Sequence, residues 1–194
     1  MTGNTPRKCE PPVDDPRPDD LHAAPSVVIV NTGDGKGKST AAFGTVMRAV
    51  ARGWRVAVVQ FIKSGKWNVG EEKTAKQLGV DWWTIGEGFS WDSTDLTEDE
   101  AVAQAAWRHA ADVIGAGEHR LVVLDEVTYP VNWGWIALDD VVATIRERPD
   151  EVNVVVTGRD APAVLIDLAD TVTEMRNVKH AYDRGIRAKK GIDY

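Results

Sequence analysis

The residues best suited to chemistry form one short run, Thr32-Gly33-Asp34-Gly35-Lys36-Gly37-Lys38-Ser39-Thr40, placed between an apolar stretch that opens at Val27 and a helical pattern that opens at Lys38. Glycines let successive backbone amides turn inward around phosphate oxygens, a helix start adds the positive end of its dipole, and Lys38 supplies a mobile cation. Ser39 then carries the hydroxyl that can ligate magnesium. The run as a whole is the expected phosphate-binding element of a nucleotide site. A strict Walker loop has glycine where this chain has Thr32, a small departure. The carboxylate of Asp34 would be repelled by phosphate, so it is expected to face solvent or to cap the turn.

A second constellation completes such a site. Leu121-Val122-Val123-Leu124-Asp125-Glu126 reads as an apolar strand ending in two carboxylates. Ligands of open α/β sheets sit beyond the C-terminal ends of the strands, which puts Asp125 and Glu126 on the magnesium side of the loop. Either one can reach the ion directly or through water. Arg159, after Thr157-Gly158, is a candidate for a phosphate contact or a structural ion pair. His22, His109, His119 and His180 have no ligand spacing, so no histidine metal cluster is expected.

The elements that must position these residues follow from apolar patterning. Short Val-rich runs at Val27 to Val30, Val56 to Val59, Leu121 to Leu124 and Val152 to Val156 suit parallel strands covered on both faces. Helical patterns run from Lys38 to Ala51, with Gly53 as a left-handed stop, and from Glu71 to Gly79. A third runs from a capping box at Thr97 to about Ile114, a fourth from Leu138 to Arg148, and a fifth from Asp160 with Pro162 just inside. The alternation predicts an α/β fold: an open, mostly parallel, twisted sheet with helices on both faces. Residues 1–25 hold six of the nine prolines and scattered acidic residues, which predicts a disordered tail ahead of one domain at 26–194.

Composition narrows the partners. A net charge of -7 and a pI near 5.1 argue against a phosphate polymer such as nucleic acid. Cys9 is the only cysteine and no long apolar run or secretory signal is present, so the cytoplasm is the expected compartment, with no membrane partner. The basic residues Arg176, Lys179, Arg184, Arg187, Lys189 and Lys190 read as a solvated tail.

A phosphate loop alone serves many chemistries, including a kinase or ATPase that cleaves the β-γ bond and a module that only binds nucleotide. Further strings discriminate: Val59-Gln60-Phe61-Ile62-Lys63, Gly86-Glu87-Gly88-Phe89-Ser90-Trp91, Leu124 to Tyr129, Thr157-Gly158-Arg159, Val178-Lys179-His180-Ala181-Tyr182-Asp183 and Gly191-Ile192-Asp193-Tyr194. With Thr32 to Gly44 they resemble the ATP:corrinoid adenosyltransferases of the cobalamin synthesis and salvage type, from Val27 to the end of the chain. The resemblance implies a RecA-like P-loop domain, usually homodimeric, that binds ATP with Mg2+ (or Mn2+) beside a reduced corrinoid. It implies that Co(I) attacks C5' of ATP, bound in reverse relative to other P-loop enzymes, and that triphosphate leaves. An electron-donating protein such as a flavodoxin-like one would supply the reductant.

By position, the resemblance gives Lys38, Ser39 and Glu126 the catalytic roles. Lys38 offsets leaving-group charge, Ser39 and Glu126 flank the metal, and Phe89 and Trp91 face the corrinoid. This chain departs from many such proteins in its acidic Pro-rich tail, where they have a basic helical segment, and in Asp34, where Asn or Glu is frequent. Trp67, Trp82, Trp83, Trp91, Trp133 and Trp135 fall in or beside predicted loops, where flat faces can line a macrocycle pocket, whereas Trp107 is expected in the core.

Overall fold

The four apolar runs are strands within two residues of their expected bounds: β1 (Val28–Thr32), β2 (Val56–Gln60), β4 (Leu121–Asp125) and β5 (Asn153–Thr157). They belong to a computed structural model that describes residue 18 and residues 20–62, 70–84 and 96–193, apart from the side chains of residues 96 and 97. Two shorter strands join them, β3 (Asp81–Thr84) and β6 (Thr171–Glu174), in the order β3-β2-β4-β5-β1-β6. Every pairing is parallel, so the sheet is uniformly rather than mostly parallel. β1 lies between β5 and β6, with Val28 beside Val154 and Val30 beside Val172.

Alternation along the strands divides the core into two layers. On one face Val122, Leu124, Val154 and Val156 pack with Ala106, Trp107 and Ala110 of α3 (Leu96–Gly115), Val141 and Ile145 of α5 (Leu138–Arg146) and Leu165 of α6 (Ala163–Leu168). On the other, Leu121, Val123 and Val155 meet Ala42, Phe43 and Val46 of α1 (Lys38–Ala51) and Ala75 of α2 (Gly70–Gln77). Helices therefore cover both faces, as patterning predicts. Gly53 has φ 73° and ends α1 as expected. The capping box at Thr97 lies outside the described side chains.

Several expectations need correction. The fifth helix begins at Ala163, with Pro162 as its cap, because Asp160 adopts φ 49° and cannot start a helix. The fourth ends at Arg146, two residues short of its predicted limit. A short helix, α4 (Thr128–Asn132), occupies what reads as a loop around Pro130. Trp82 and Trp83 stand on β3 rather than in a loop: Trp82 is buried against Phe43 with ring centroids 5.2 Å apart, and Trp83 meets His109 edge-on at 4.6 Å. Trp107 is in the core as predicted. Among the described residues no helix is long and apolar enough to cross a membrane.

Candidate nucleotide site

The phosphate loop leaves the C-terminal end of β1 and is shaped by its neighbour β6. The Thr32 carbonyl accepts a hydrogen bond from the Met175 amide at 2.8 Å, and the Gly35 amide donates to the Met175 carbonyl at 2.6 Å. A Cβ on Gly33 would lie 2.5 Å from the Met175 oxygen and one on Gly35 2.7 Å from it, so side chains are excluded at both positions. Thr32 itself is buried, and its hydroxyl accepts from the Ala161 amide at 3.1 Å. The threonine at the Walker glycine position thus ties the loop to the segment before α6.

Lys38 folds back over the loop. Its ammonium donates to the carbonyls of Gly33 and Gly35, both at 2.7 Å. Burial lowers its pKa from the usual lysine value, the positive charge of Arg159 adds to the lowering, and Asp34, Glu126 and Asp160 oppose it. The two carbonyls hold the ammonium against the loop.

The paired carboxylates separate into two environments. Asp125 is fully buried and accepts from the Thr157 hydroxyl through Oδ1 and from Gln60 Nε2 through Oδ2, each at 2.8 Å. Glu126 takes φ 64°, a left-handed turn that directs the next residue out of the strand, and its amide donates to Thr157 Oγ1 at 2.9 Å. Thr157 therefore pins Asp125 inside while orienting the backbone of Glu126, which lines the cavity.

Arg159 is placed by a comparable device. Gly158 has φ 145°, and a Cβ there would come within 1.9 Å of Thr128 Oγ1. With glycine present, the Thr128 hydroxyl donates to the Arg159 carbonyl at 2.7 Å and Asn132 Nδ2 to the Asp160 carbonyl at 3.0 Å. The start of α4 thus fixes the turn that carries Arg159 to the cavity.

The cavity measures about 520 Å³. Residues 34–40, Glu126 and Arg159 line it, so the structure brings these sequence candidates together. Thr32 and Gly33 lie behind the wall, as supports, and Asp125 is withdrawn into the core. Phe89 and Trp91 fall outside the described residues. Sequence reasoning missed Tyr129, whose phenol pKa is raised chiefly by burial and then by Glu126, and it missed the contribution of Asn177, Tyr182, Asp183 and Asp193 to the opposite wall. The string around His180 was the available signal, since His180 lines the same wall.

The model of the ATP:corrinoid adenosyltransferase BtuR/CobO/CobP family matches residues 25–194. This chain belongs to that family. It is 45% identical over 168 residues to the corrinoid adenosyltransferase of Escherichia coli strain K12, covering 87% of this chain and 85% of that one. It is 44% identical over 168 residues to corrinoid adenosyltransferase CobA of Salmonella typhimurium, with the same coverage, and 46% identical over 170 residues to the Pseudomonas aeruginosa corrinoid adenosyltransferase, covering 87% and 83%. As a corrinoid adenosyltransferase the chain is a transferase with ATP and a corrinoid as substrates, acting in adenosylcobalamin synthesis. Among its described residues no cluster of three or more His, Cys, Asp or Glu side chains forms a preassembled metal cage.

Proposed function

We propose that this adenosyltransferase works in the cytoplasm, moving the 5'-deoxyadenosyl group of ATP to the Co(I) of a reduced corrinoid and releasing inorganic triphosphate from the cavity above β1. The Co(I) electron pair forms the bond to C5', the C5'-O bond breaks, and its electrons leave on the triphosphate. The observation that carries the assignment of roles is the meeting of Lys38, Ser39, Glu126 and Arg159 around one chamber of about 520 Å³ at the strand ends.

Lys38 exchanges the Gly33 and Gly35 carbonyls for phosphate oxygens, and the anionic ligand offsets the burial that lowers its pKa. Its charge then stabilises the negative charge growing on the leaving group. The amides of Lys36 and Gly37 and the start of α1 add fixed positive dipoles, whereas that of Gly35 is already bonded to the Met175 carbonyl. The Ser39 hydroxyl and Glu126 carboxylate are hard oxygen donors that both line the cavity, and they would hold Mg2+ or Mn2+ there. The ion supplies further neutralisation of triphosphate charge. By family resemblance Phe89 and Trp91 face the corrinoid, a flavodoxin-like protein donates the electron and the enzyme acts as a homodimer; bulky aromatic side chains in that place would exclude an axial base and water.

An anaerobic assay with ATP, Mg2+ and chemically generated Co(I) corrinoid tests the reading. Equal amounts of cobalt-carbon bond, seen spectroscopically, and intact triphosphate are expected. ADP formed without corrinoid would instead indicate an ordinary P-loop phosphohydrolase.

A further inference from the structure

The chain that leaves β6 touches the phosphate loop twice. Its first contact is the backbone pairing of Met175 with Thr32 and Gly35. Asn177, His180, Tyr182 and Asp183 follow along the cavity wall. The second contact is Asp193, whose Oδ1 lies 2.8 Å from Lys36 Nζ. Its Oδ2 accepts from the Lys189 amide at 2.7 Å, while its own amide donates to the Lys189 carbonyl at 2.8 Å. One carboxylate therefore closes the last turn of the segment on itself and fastens that turn to the loop. Beside it, Ile192 borders an apolar cleft of about 420 Å³ shared with Phe43, Met47 and Trp82.

We propose that Asp193 is a positioning residue for adenosyl transfer: through Lys36 it holds the segment from residue 176 to residue 193 as a strap across the phosphate loop, presenting Asn177, His180 and Tyr182 to the triphosphate. This rests on the placement of triphosphate in the cavity above. A segment fixed only at Met175 would pay ordering entropy each time ATP arrives, and a second anchor removes part of that cost beforehand. The Lys189 amide, and after it Lys36, hold the Asp193 carboxyl below the ordinary carboxylate range, so the anchor is charged at neutral pH. Lys36 keeps two further donor hydrogens for phosphate while it holds Asp193.

Asp193→Asn removes the charge at constant size. The expected result is a rise in KM for ATP of roughly two- to fivefold, the scale of one solvent-exposed ion pair, with a much smaller change in kcat. Amide hydrogens of residues 177–190 should exchange faster in the ATP-free variant than in the ATP-free wild type. Lys36→Gln should accelerate the same exchange, and the double variant should exchange no faster than the quicker single one, since both break one link. Unchanged KM together with unchanged exchange in Asp193→Asn overturns the proposal, as do losses that multiply in the double variant. A fall in melting temperature and kcat with KM constant overturns it as well, because it marks the tail as merely structural. If the wild type binds ATP with slowed exchange in the strap yet transfers no adenosyl group, the strap stands and the assigned reaction fails.

Discussion

The two ends of the parallel sheet use the same residue types to opposite effect. At the N-terminal end, Arg55 precedes β2, Asp81 opens β3 and His119 precedes β4. There Asp81 accepts from Arg55 Nε at 3.1 Å and pairs with His119 Nε2 at 2.8 Å, Arg55 also pairs with Glu118, and Arg120 lies over Trp54 at 4.8 Å. Charge meets charge, and the cluster ties strand ends together. At the C-terminal end Lys38 rests on carbonyl dipoles and Asp125 on neutral hydrogen-bond donors. A carbonyl partner yields to phosphate more readily than a carboxylate does, since an anion attracts the ammonium more strongly than a dipole. The difference singles out Lys38 as the cation placed to exchange its partners, whereas Lys36 beside it keeps an ionic one in Asp193.

Mutations can break that contrast. Lys38→Ala should have the largest effect, lowering adenosyl transfer on the order of 100-fold or more, with the melting temperature nearly unchanged because its partners are two loop carbonyls. Near-normal turnover by the folded variant would refute the phosphate-loop role. The adjacent carboxylates offer a sharper comparison. Asp125→Asn turns an N-H toward the Thr157 hydroxyl or Gln60 Nε2, so urea denaturation should show a loss of about 1–3 kcal/mol. Glu126→Gln should keep its stability and raise the Mg2+ concentration needed for half-maximal activity. Exchanged outcomes would reverse the roles of the two residues.

The smallest effect is expected at the N-terminal end. The hydrogen bond with His119, and after it Arg55, hold the Asp81 carboxyl below the usual carboxylate range. A lowered carboxylate pKa stabilises the fold above the unfolded-state value, and that contribution disappears as pH falls through the folded-state value. Asp81→Asn should therefore melt slightly below wild type at neutral pH, by less than about 1 kcal/mol in stability because the site is solvent-screened. The gap should close in acid, and KM for ATP at neutral pH should not change. A gap that is constant with pH would remove the charge from the explanation.

What the sequence disclosed divides along physical lines. Buried strands such as β4 announce themselves because both faces are covered and four of its five positions are apolar. β6, Thr171–Glu174, is exposed at all four positions at the sheet edge and has no such signature. β3 consists of Asp81, Trp82, Trp83 and Thr84, too short for its alternation to separate from a loop, which is why its tryptophans suggested a pocket. The phosphate loop was legible because backbone geometry demands its glycines in fixed order. The choice between Asp125 and Glu126 was not, since it depends on Thr157 and Gln60, which reach them from other strands. The far wall of the cavity was hidden for the same reason: the basic residues of 176–190 are solvated as their composition suggests, and the lining comes from Asn177, His180, Tyr182 and Asp183 between them, placed only once the chain leaves β6.

The position of β1 between β5 and β6 also bears on how the enzyme is born. Val27 and the Asn153 side chain that receives its amide hydrogen bond lie 126 positions apart, and Met175, which shapes the loop, comes later still. A ribosome therefore delivers the glycines of the nucleotide site early but their supporting strands near the end of synthesis. Contacts of such long sequence separation form slowly and late. A nascent chain halted before Met175 therefore lacks both an edge of the sheet and the backbone partner of Thr32 and Gly35 that shapes the loop.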